Sequence, residues 1–398
     1  MKGPFQAVKV TEQVYWVGAI DWDIRDFHGY ATDRGTTYNA YLVMAEKPAL
    51  IDTVKAPFTD EMLSRISSVC DPKSIRYVVS NHSELDHSGG LPQAVGLIKP
   101  EKVFASAMGV KALAAHFHWD VPVAAVKDGE KLDLGGERLA FTETRMVHWP
   151  DSMFSYLEGA GVLFSNDGFG MHLASSARFD DETPDWYCEA AKYYANILLP
   201  FSDIVLALLD KLAKSGLSPK LIAPDHGPIW RKDAAKIMSL WGDWARQKPR
   251  NKAVVVFDTM WGSTEKLARA AEEGLIASGV ETVVLPLRGN HRSDVATELL
   301  EAGALLVGSP TINKQLFPTV ADVLSYLKGL RRKNLVGAAF GSYGWAGESL
   351  KLVQDALTEM GVATVEPVKC QYVPDAAALE AAHGLGQKVA ARLKEALR

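Results

Sequence analysis

Asn81-His82-Ser83-Glu84-Leu85-Asp86-His87-Ser88-Gly89-Gly90 places two imidazoles and two carboxylates within six consecutive residues, one serine after the mostly apolar run Ile75-Arg76-Tyr77-Val78-Val79. Neutral imidazole with carboxylate suits first-row transition metals, and thiolate, the other common ligand, is missing from the stretch. The run reads as a short buried strand. In an extended loop leaving it, His82, Glu84 and Asp86 fall on one side and His87 points off that line. A polar surface turn would explain the composition alone, but more ligand types follow downstream. His148 stands in Met146-Val147-His148-Trp149-Pro150, Asp167 in Asn166-Asp167-Gly168-Phe169-Gly170 and His226 in Asp225-His226-Gly227-Pro228, each at the end of a predicted strand. Seven ligands are too many for one tetrahedral ion and suit two ions, with Asp167 as the bridging carboxylate.

A second constellation follows. Val254-Val255-Val256-Phe257 leads into Asp258-Thr259-Met260-Trp261-Gly262-Ser263-Thr264-Glu265-Lys266, a strand that turns directly into a helix. Backbone N–H groups and the positive end of the helix dipole face an anion there, and Thr259, Ser263 and Thr264 offer hydroxyl donors. Neither a Gly-x-Gly-x-x-Gly fingerprint nor a Gly-Lys-Ser/Thr ending is present, which weakens dinucleotide and nucleoside triphosphate readings. Gly308-Ser309-Pro310-Thr311-Ile312-Asn313 and Gly341-Ser342-Tyr343-Gly344-Trp345-Ala346-Gly347 follow the third and fourth strands of this half. Both emerge at the carboxyl edge beside the switch point, where open α/β sheets bind ligands.

The elements that must position these residues divide at the polar segment Arg246-Gln247-Lys248-Pro249-Arg250-Asn251-Lys252, a linker candidate. Before it, short runs rich in Val, Tyr, Ile and Thr predict antiparallel strands over 8–17 and 37–51, with a hairpin of 38–43 and 49–52. Helices are expected over 57–69, 90–98, 108–116, 186–199 and 203–215, and strands over 75–79, 102–105, 137–144, 154–157, 162–165 and 221–224. Beyond the linker, apolar strands at 253–257, 282–287, 304–307, 335–340 and 363–365 alternate with helix-sized segments. That alternation argues a parallel sheet covered by helices on both faces.

The 398 residues are too many for one ordinary core and suggest two or three domains. A hydrophobic fraction of 47%, a charged fraction of 23% and a net charge of -5 are those of a globular chain with no basic stripe for a phosphate backbone. Nucleic acid is not expected as a partner. No apolar run reaches a bilayer-spanning length and Met1-Lys2-Gly3-Pro4-Phe5 does not open a signal peptide, so no membrane and a cytoplasmic location are expected. Cys70, Cys188 and Cys370 are odd in number and far apart, which argues against a disulfide framework and for small buried residues. His116, His118, His291 and His383 lie outside any motif and are expected at the surface or in a satisfied core.

The order His82-x-Glu84-x-Asp86-His87 with His148, Asp167 and His226 downstream resembles the metallo-β-lactamase-like fold in the variant found in flavodiiron proteins, also called A-type flavoproteins. Hydrolases of that fold usually have His where this chain has Glu84, and a carboxylate there adds charge and hardness that fit a non-haem di-iron site. A dizinc hydrolase with an FMN redox-sensing domain is the alternative. The loop at Thr259–Thr264 resembles the phosphate loop of flavodoxins, with Trp345 or Tyr343 available to stack on the isoalloxazine. The resemblance covers nearly the whole chain. It implies an α/β protein with an N-terminal αβ/βα sandwich domain over 1–248 and a doubly wound flavodoxin-like FMN domain over 249–398.

By that resemblance His82, Glu84 and His148 hold one iron, Asp86, His87 and His226 the other, and Asp167 is shared. Family sites vary in whether the histidine at the His87 position binds metal or swings aside. His28 and His172 are expected close behind the ligands, and Tyr193 and Tyr194 resemble family tyrosines that donate a proton or hydrogen bond to reduced oxygen species; His28, His172 and Tyr194 are the residues expected to take part in catalysis. The implied activity is reduction of O2 to water, NO to N2O, or both. FMNH2 and an Fe(II) pair store two electrons each, which together match O2 reduction to two waters, whereas joining two NO needs only two. The chain lacks the paired Cys-x-x-Cys knuckles of a rubredoxin module. An external iron-sulfur donor, rubredoxin by resemblance, is therefore expected, together with a head-to-tail homodimer or dimer of dimers.

Overall fold

Strand alternation explains how the N-terminal half builds two cores. In the computed structural model, which describes residues 3–398, seven strands form one sheet in the order Val8–Lys9, Val14–Trp16, Tyr41–Val43, Ala49–Ile51, Tyr77–Ser80, Lys102–Ser106, Val123–Val126. Tyr41, Val43, Ala49, Ile51, Tyr77, Val79 and Phe104 point into one core. Leu42, Leu50, Val78, Val103 and Ala105, one residue out of step, point into another. The period of two thus buries both faces of these strands. The second core is closed by Met62, Leu63 and Ile66 of the helix Thr59–Val69 and by Leu91, Ala94, Val95 and Ile98 of the helix Leu91–Ile98. The first core is closed by a five-stranded sheet, Lys131–Asp133, Arg138–Glu143, Met153–Leu157, Val162–Asn166 and Leu221–Pro224, which supplies Leu139, Phe141, Leu157 and Phe164. Sheet lies on sheet, with strand ends that carry the ligand loops.

The expected hairpin partner over 38–43 is broken. Thr36–Tyr38 pairs with Ala19–Asp21 in a separate small sheet, while Tyr41–Val43 pairs with Ala49–Ile51. Asn39 causes the break: its buried amide accepts from Trp16 Nε1 at 2.8 Å and donates to the carbonyls of Pro224 and Gly227 at 2.7 and 3.0 Å. Satisfying that side chain replaces the continuous ladder.

In the C-terminal half, Glu281–Pro286, Arg250–Phe257, Ala302–Pro310, Val336–Tyr343 and Ala363–Thr364 form a parallel sheet, in the order 2-1-3-4-5 of their sequence positions. Val368–Gln371 also pairs with Val336–Tyr343, so the fifth strand comes in two pieces. Val255, Phe257, Leu306 and Ala338 face a core formed with the helices Ser263–Ala277 and Ala376–Ala396. Those two helices approach closely because Gly274 and Gly386 lack side chains: an added Cβ at Gly274 would stand 2.0 Å from the His383 carbonyl oxygen. The alternate residues Val254, Val256, Leu305 and Val307 are also fully buried, as strands covered on both faces require.

The chain falls into two compact units. One runs to His28 and continues through Thr32–Tyr193 and Asp203–Gly242; the other takes Gly29–Ala31, Tyr194–Ser202 and Asp243–Arg398. The linker candidate is ordered structure. Gln247 is 3% exposed and its carbonyl accepts from Arg332 Nη1 at 2.9 Å, and a strand already begins at Arg250. The cysteines are free; Cys370 is buried, but Cys188, expected to be buried, is exposed on the helix Tyr187–Tyr193. Among the described residues no helix is long and apolar enough to cross a membrane.

Candidate functional site

The ligand-rich stretch does not leave its strand as one extended loop. After Tyr77–Ser80, Glu84 keeps extended backbone (φ −59, ψ 144) and is followed at once by a one-turn helix, Leu85–Ser88. The side-chain period therefore changes between Glu84 and Asp86. This corrects the expectation that Asp86 lines up with His82 and Glu84. His82 and Glu84 join His148 and Asp167 in one group of donors, while Asp86 and His87 join His226 in another.

In the first group His82 Nε2 lies 3.2 Å from Glu84 Oε2 and 3.5 Å from Asp167 Oδ2, and His148 Nε2 lies 3.3 Å from both oxygens. In the second, His87 Nε2 is 3.4 Å from Asp86 Oδ1 and 3.1 Å from Asp167 Oδ1. His226 Nε2 is 3.1 Å from Asp86 Oδ2 and 3.6 Å from Asp167 Oδ1. The two oxygens of Asp167 thus face different groups, and the His87 ring is turned into the second.

These positions are built by strand ends with constrained backbone. Met146 (φ 64) precedes His148 by two residues and Asn166 (φ 51) precedes Asp167, both in the left-handed region that non-glycine residues seldom adopt. The Nδ1–H of His226 donates to the Thr37 carbonyl at 2.6 Å, which leaves Nε2 available to act as a ligand atom. Asp151, which the sequence reading passed over, places both carboxylate oxygens 3.2 Å from His82 Nδ1. Its only sequence signal is its place three residues after His148.

The donor set fits metal ions. Asp86 Oδ1 and Oδ2 and Asp167 Oδ2 are buried and accept no hydrogen bond. Buried oxygens in that condition are rare, because desolvation without a partner is costly. Burial disfavours charge throughout the site, yet His87 and His148 hold Asp167 well below the usual carboxylate range. Burial likewise opposes the charge of His82, but Asp151 and Glu84 raise its pKa to about 10; Asp167 and Glu84 raise that of His148 to about 9 against the same cost. With no ion bound, protons on the imidazoles stand in for the cations.

The second constellation lines a cleft of about 720 Å³ at the carboxyl edge of the parallel sheet. Met260, Trp261 and Ser263, Pro310 to Asn313, and Ser342 to Ala346 lie along it, joined by Tyr372 and Val373, which the sequence reading missed. Gly262 (φ +83) is the left-handed residue before the helix Ser263–Ala277, whose N-terminus has no side-chain cap. Uncapped N–H groups at a helix start are open to an anion. Thr259 Oγ1 accepts from the Gly262 N–H at 3.1 Å, and Thr264 Oγ1 lies 2.8 Å from Ser342 Oγ, which ties the first loop to the third.

Residues 36–227 match the ODP family beta lactamase description and residues 255–384 match flavodoxin. The chain is 45% identical over 397 residues to the nitric oxide reductase of Moorella thermoacetica, covering 98% of this chain and 100% of that one. It is 46% identical over 399 residues to the rubredoxin-oxygen oxidoreductase of Megalodesulfovibrio gigas, covering 98% and 99%. This chain belongs to the flavodiiron protein family. The solved flavodiiron protein of Giardia intestinalis superposes with a TM-score of 0.95 at 32% identity, covering 100% of this chain and 99% of that one.

In this flavodiiron protein the residues expected behind the ligands occupy different places. The side chain of His28 is 71% exposed, and its Nε2 lies 2.7 Å from Glu84 Oε1. His172 is buried, with Nδ1 2.9 Å from Thr36 Oγ1 and its ring 4.6 Å from that of His226; burial and His226 push its pKa well down, so it stays neutral. The Tyr193 hydroxyl donates to Asp167 Oδ1 at 3.1 Å. Tyr194, one residue on and the first of a π-helical turn Tyr194–Leu198, has its hydroxyl 3.4 Å from Ser202 Oγ. This corrects the expectation that Tyr194 is the tyrosine that takes part: adjacent helical residues point about 100° apart, and the hydroxyl that reaches Asp167 is that of Tyr193.

Proposed function

We propose that this flavodiiron protein is an oxidoreductase that reduces O2 to water, NO to N2O, or both, with electrons passing through FMN from a rubredoxin-type donor. The observation that carries the reading is the sharing of Asp167 between two groups of nitrogen and oxygen donors. His82, Glu84 and His148 would hold one iron and Asp86, His87 and His226 the other, with Asp167 presenting an oxygen to each group. The segment 1–248 supplies the metal centre and 249–398 the FMN site, where Thr259–Thr264 would bind the phosphate and Tyr343 or Trp345 would offer an aromatic face to the flavin. When bound, the irons and FMN supply the electrons and the place where O2 or NO is reduced.

The chain's own residues do the rest. Tyr193 is kept protonated by burial and by Asp167, so a proton is held at its Oη beside the bridging carboxylate. His28 holds Glu84 by Oε1, leaving Oε2 toward His82 and His148. His172, neutral and packed on His226, fixes that ring in place. Burial keeps bulk water away from the donors.

A cytoplasmic location, a small rubredoxin-type donor and a head-to-tail homodimer complete the proposal. The dizinc hydrolase alternative has less support, since the Moorella thermoacetica and Megalodesulfovibrio gigas relatives are named nitric oxide reductase and rubredoxin-oxygen oxidoreductase. Anaerobic reduction with a rubredoxin, followed by O2 and NO consumption measured side by side, tests the reading. Consumption of at least one gas in proportion to electrons supplied is expected. Absence of both, with two zinc ions per chain and ester hydrolysis, would overturn it.

A further inference from the structure

We infer that Asp151 is the positioning residue of the metal site formed by His82, Glu84 and His148: it presents His82 Nε2 as the ligand atom and strengthens that imidazole as a donor. The inference rests on the metal reading above and extends it to a residue outside both donor groups.

Asp151 is 3% exposed. Both its oxygens stand 3.2 Å from His82 Nδ1, and Oδ2 also accepts the Ser83 N–H at 2.7 Å. One carboxylate therefore orients the ligand ring and the backbone that follows it. The backbone that carries this carboxylate is itself anchored. The Ser106 hydroxyl donates to the Asp151 carbonyl at 2.7 Å, while Ser106 Oγ accepts from the Gly109 N–H at 3.0 Å and caps the helix Ala107–Phe117. Trp149 packs edge-on against the His82 ring, with centroids 5.0 Å apart and planes at 89°, so the ring plane is constrained as well.

The other ligand histidines are held differently. The outer partner of His226 is the neutral Thr37 carbonyl, and His87 Nδ1 lies 3.4 Å from Asp225 Oδ2 without a hydrogen bond. Among the described residues His82 is the ligand histidine whose Nδ1 hydrogen-bonds a carboxylate. An anionic outer partner raises the donor strength of a metal-bound imidazole, and its loss typically weakens metal binding by about 10–100-fold. The two metal positions should then respond unequally to loss of the Asp151 charge.

Asp151→Asn tests this, since it keeps the shape but leaves one acceptor oxygen for two N–H groups. Iron-loaded wild type and variant are titrated anaerobically with a chelator, with iron per chain counted and ⁵⁷Fe Mössbauer spectra recorded. We expect one of the two irons in the variant to leave at roughly 10–100-fold lower chelator than in wild type, with the other retained and one Mössbauer component lost. Retention of both irons as in wild type, or their release together, would overturn the inference.

If metal-free Asp151→Asn does not fold, Asp151→Glu carries the test. It keeps the charge on a longer arm, so both irons should stay while one Mössbauer component shifts; an equal change in both components, or none, overturns the role. If wild type binds two zinc ions in place of iron, the reductase reading fails, but unequal release of zinc from Asp151→Asn still supports the positioning role.

Discussion

Six of the seven candidate metal donors are at most 6% exposed and are gathered from four separate stretches of chain, whereas the cleft on the parallel sheet leaves Trp261 93% and Trp345 87% exposed on adjacent loops. The first region is a set of charges that cannot be buried without counterions. The second is a shaped, largely apolar surface that carries no buried charge to be neutralised. The metal centre is therefore a thermodynamic commitment of the fold, while the cleft can stand open at little cost. The two regions should fail in different ways.

The largest contrast should come from Asp167→Asn, which alters the one residue facing both donor groups. Release of both metals and a loss of turnover of at least about 100-fold are expected, since small misplacements at a reacting centre already cost that much. FMN bound per chain should stay at the wild-type level. Metal analysis beside flavin absorbance checks this, and flavin loss in step with metal would erase the contrast between the regions.

Proton coupling gives a graded effect. In the metal-free protein His82 and His148 carry protons up to about 10 and about 9, and each must lose its proton to bind an ion. Metal affinity should rise with pH between about 7 and 9, by roughly tenfold per unit for each proton released. The stability of the metal-free protein runs the other way. These raised pKa values contribute stability that is complete below about 6.5, the unfolded value for His, and is lost as pH rises through 9 and 10. Thermal melts of metal-free and iron-loaded protein across this range should diverge as pH rises; parallel curves would show that the two imidazoles are not the coupled groups.

The smallest effect should be at the cleft. Trp345→Ala removes an exposed aromatic face, for which about 0.5–1.5 kcal/mol of stacking is typical, so FMN affinity should fall by a few-fold to about tenfold in fluorescence titration. Metal content should not change. An unaltered affinity would move the stacking role to Tyr343 or Trp261.

Much of this was legible because the signals were local. Val254 to Phe257 running into a hydroxyl- and glycine-rich turn announced both a buried parallel strand and an anion site, and dense donors after Ile75–Val79 announced metal. What escaped depended on geometry between distant residues. Nothing in Asn39 says that its amide will cross to Pro224 and Gly227 and break a strand. Asp151 looks like a loop residue until the fold brings it beneath His82. Tyr193 and Tyr194 differ only in which way one helical step turns them, and the single turn Leu85–Ser88 is too short for periodicity to reveal.

That single turn separates the two metal positions in heritable terms. Because His82 and Glu84 precede it and Asp86 and His87 lie within it, a one-residue insertion after Glu84 would swing the later pair by about 100° while leaving the earlier pair in the segment that follows Tyr77–Ser80. A lineage, or a designer, can thus retune or abolish one metal position without rewriting the other. Only Asp167 faces both groups, so a change there reaches both positions at once.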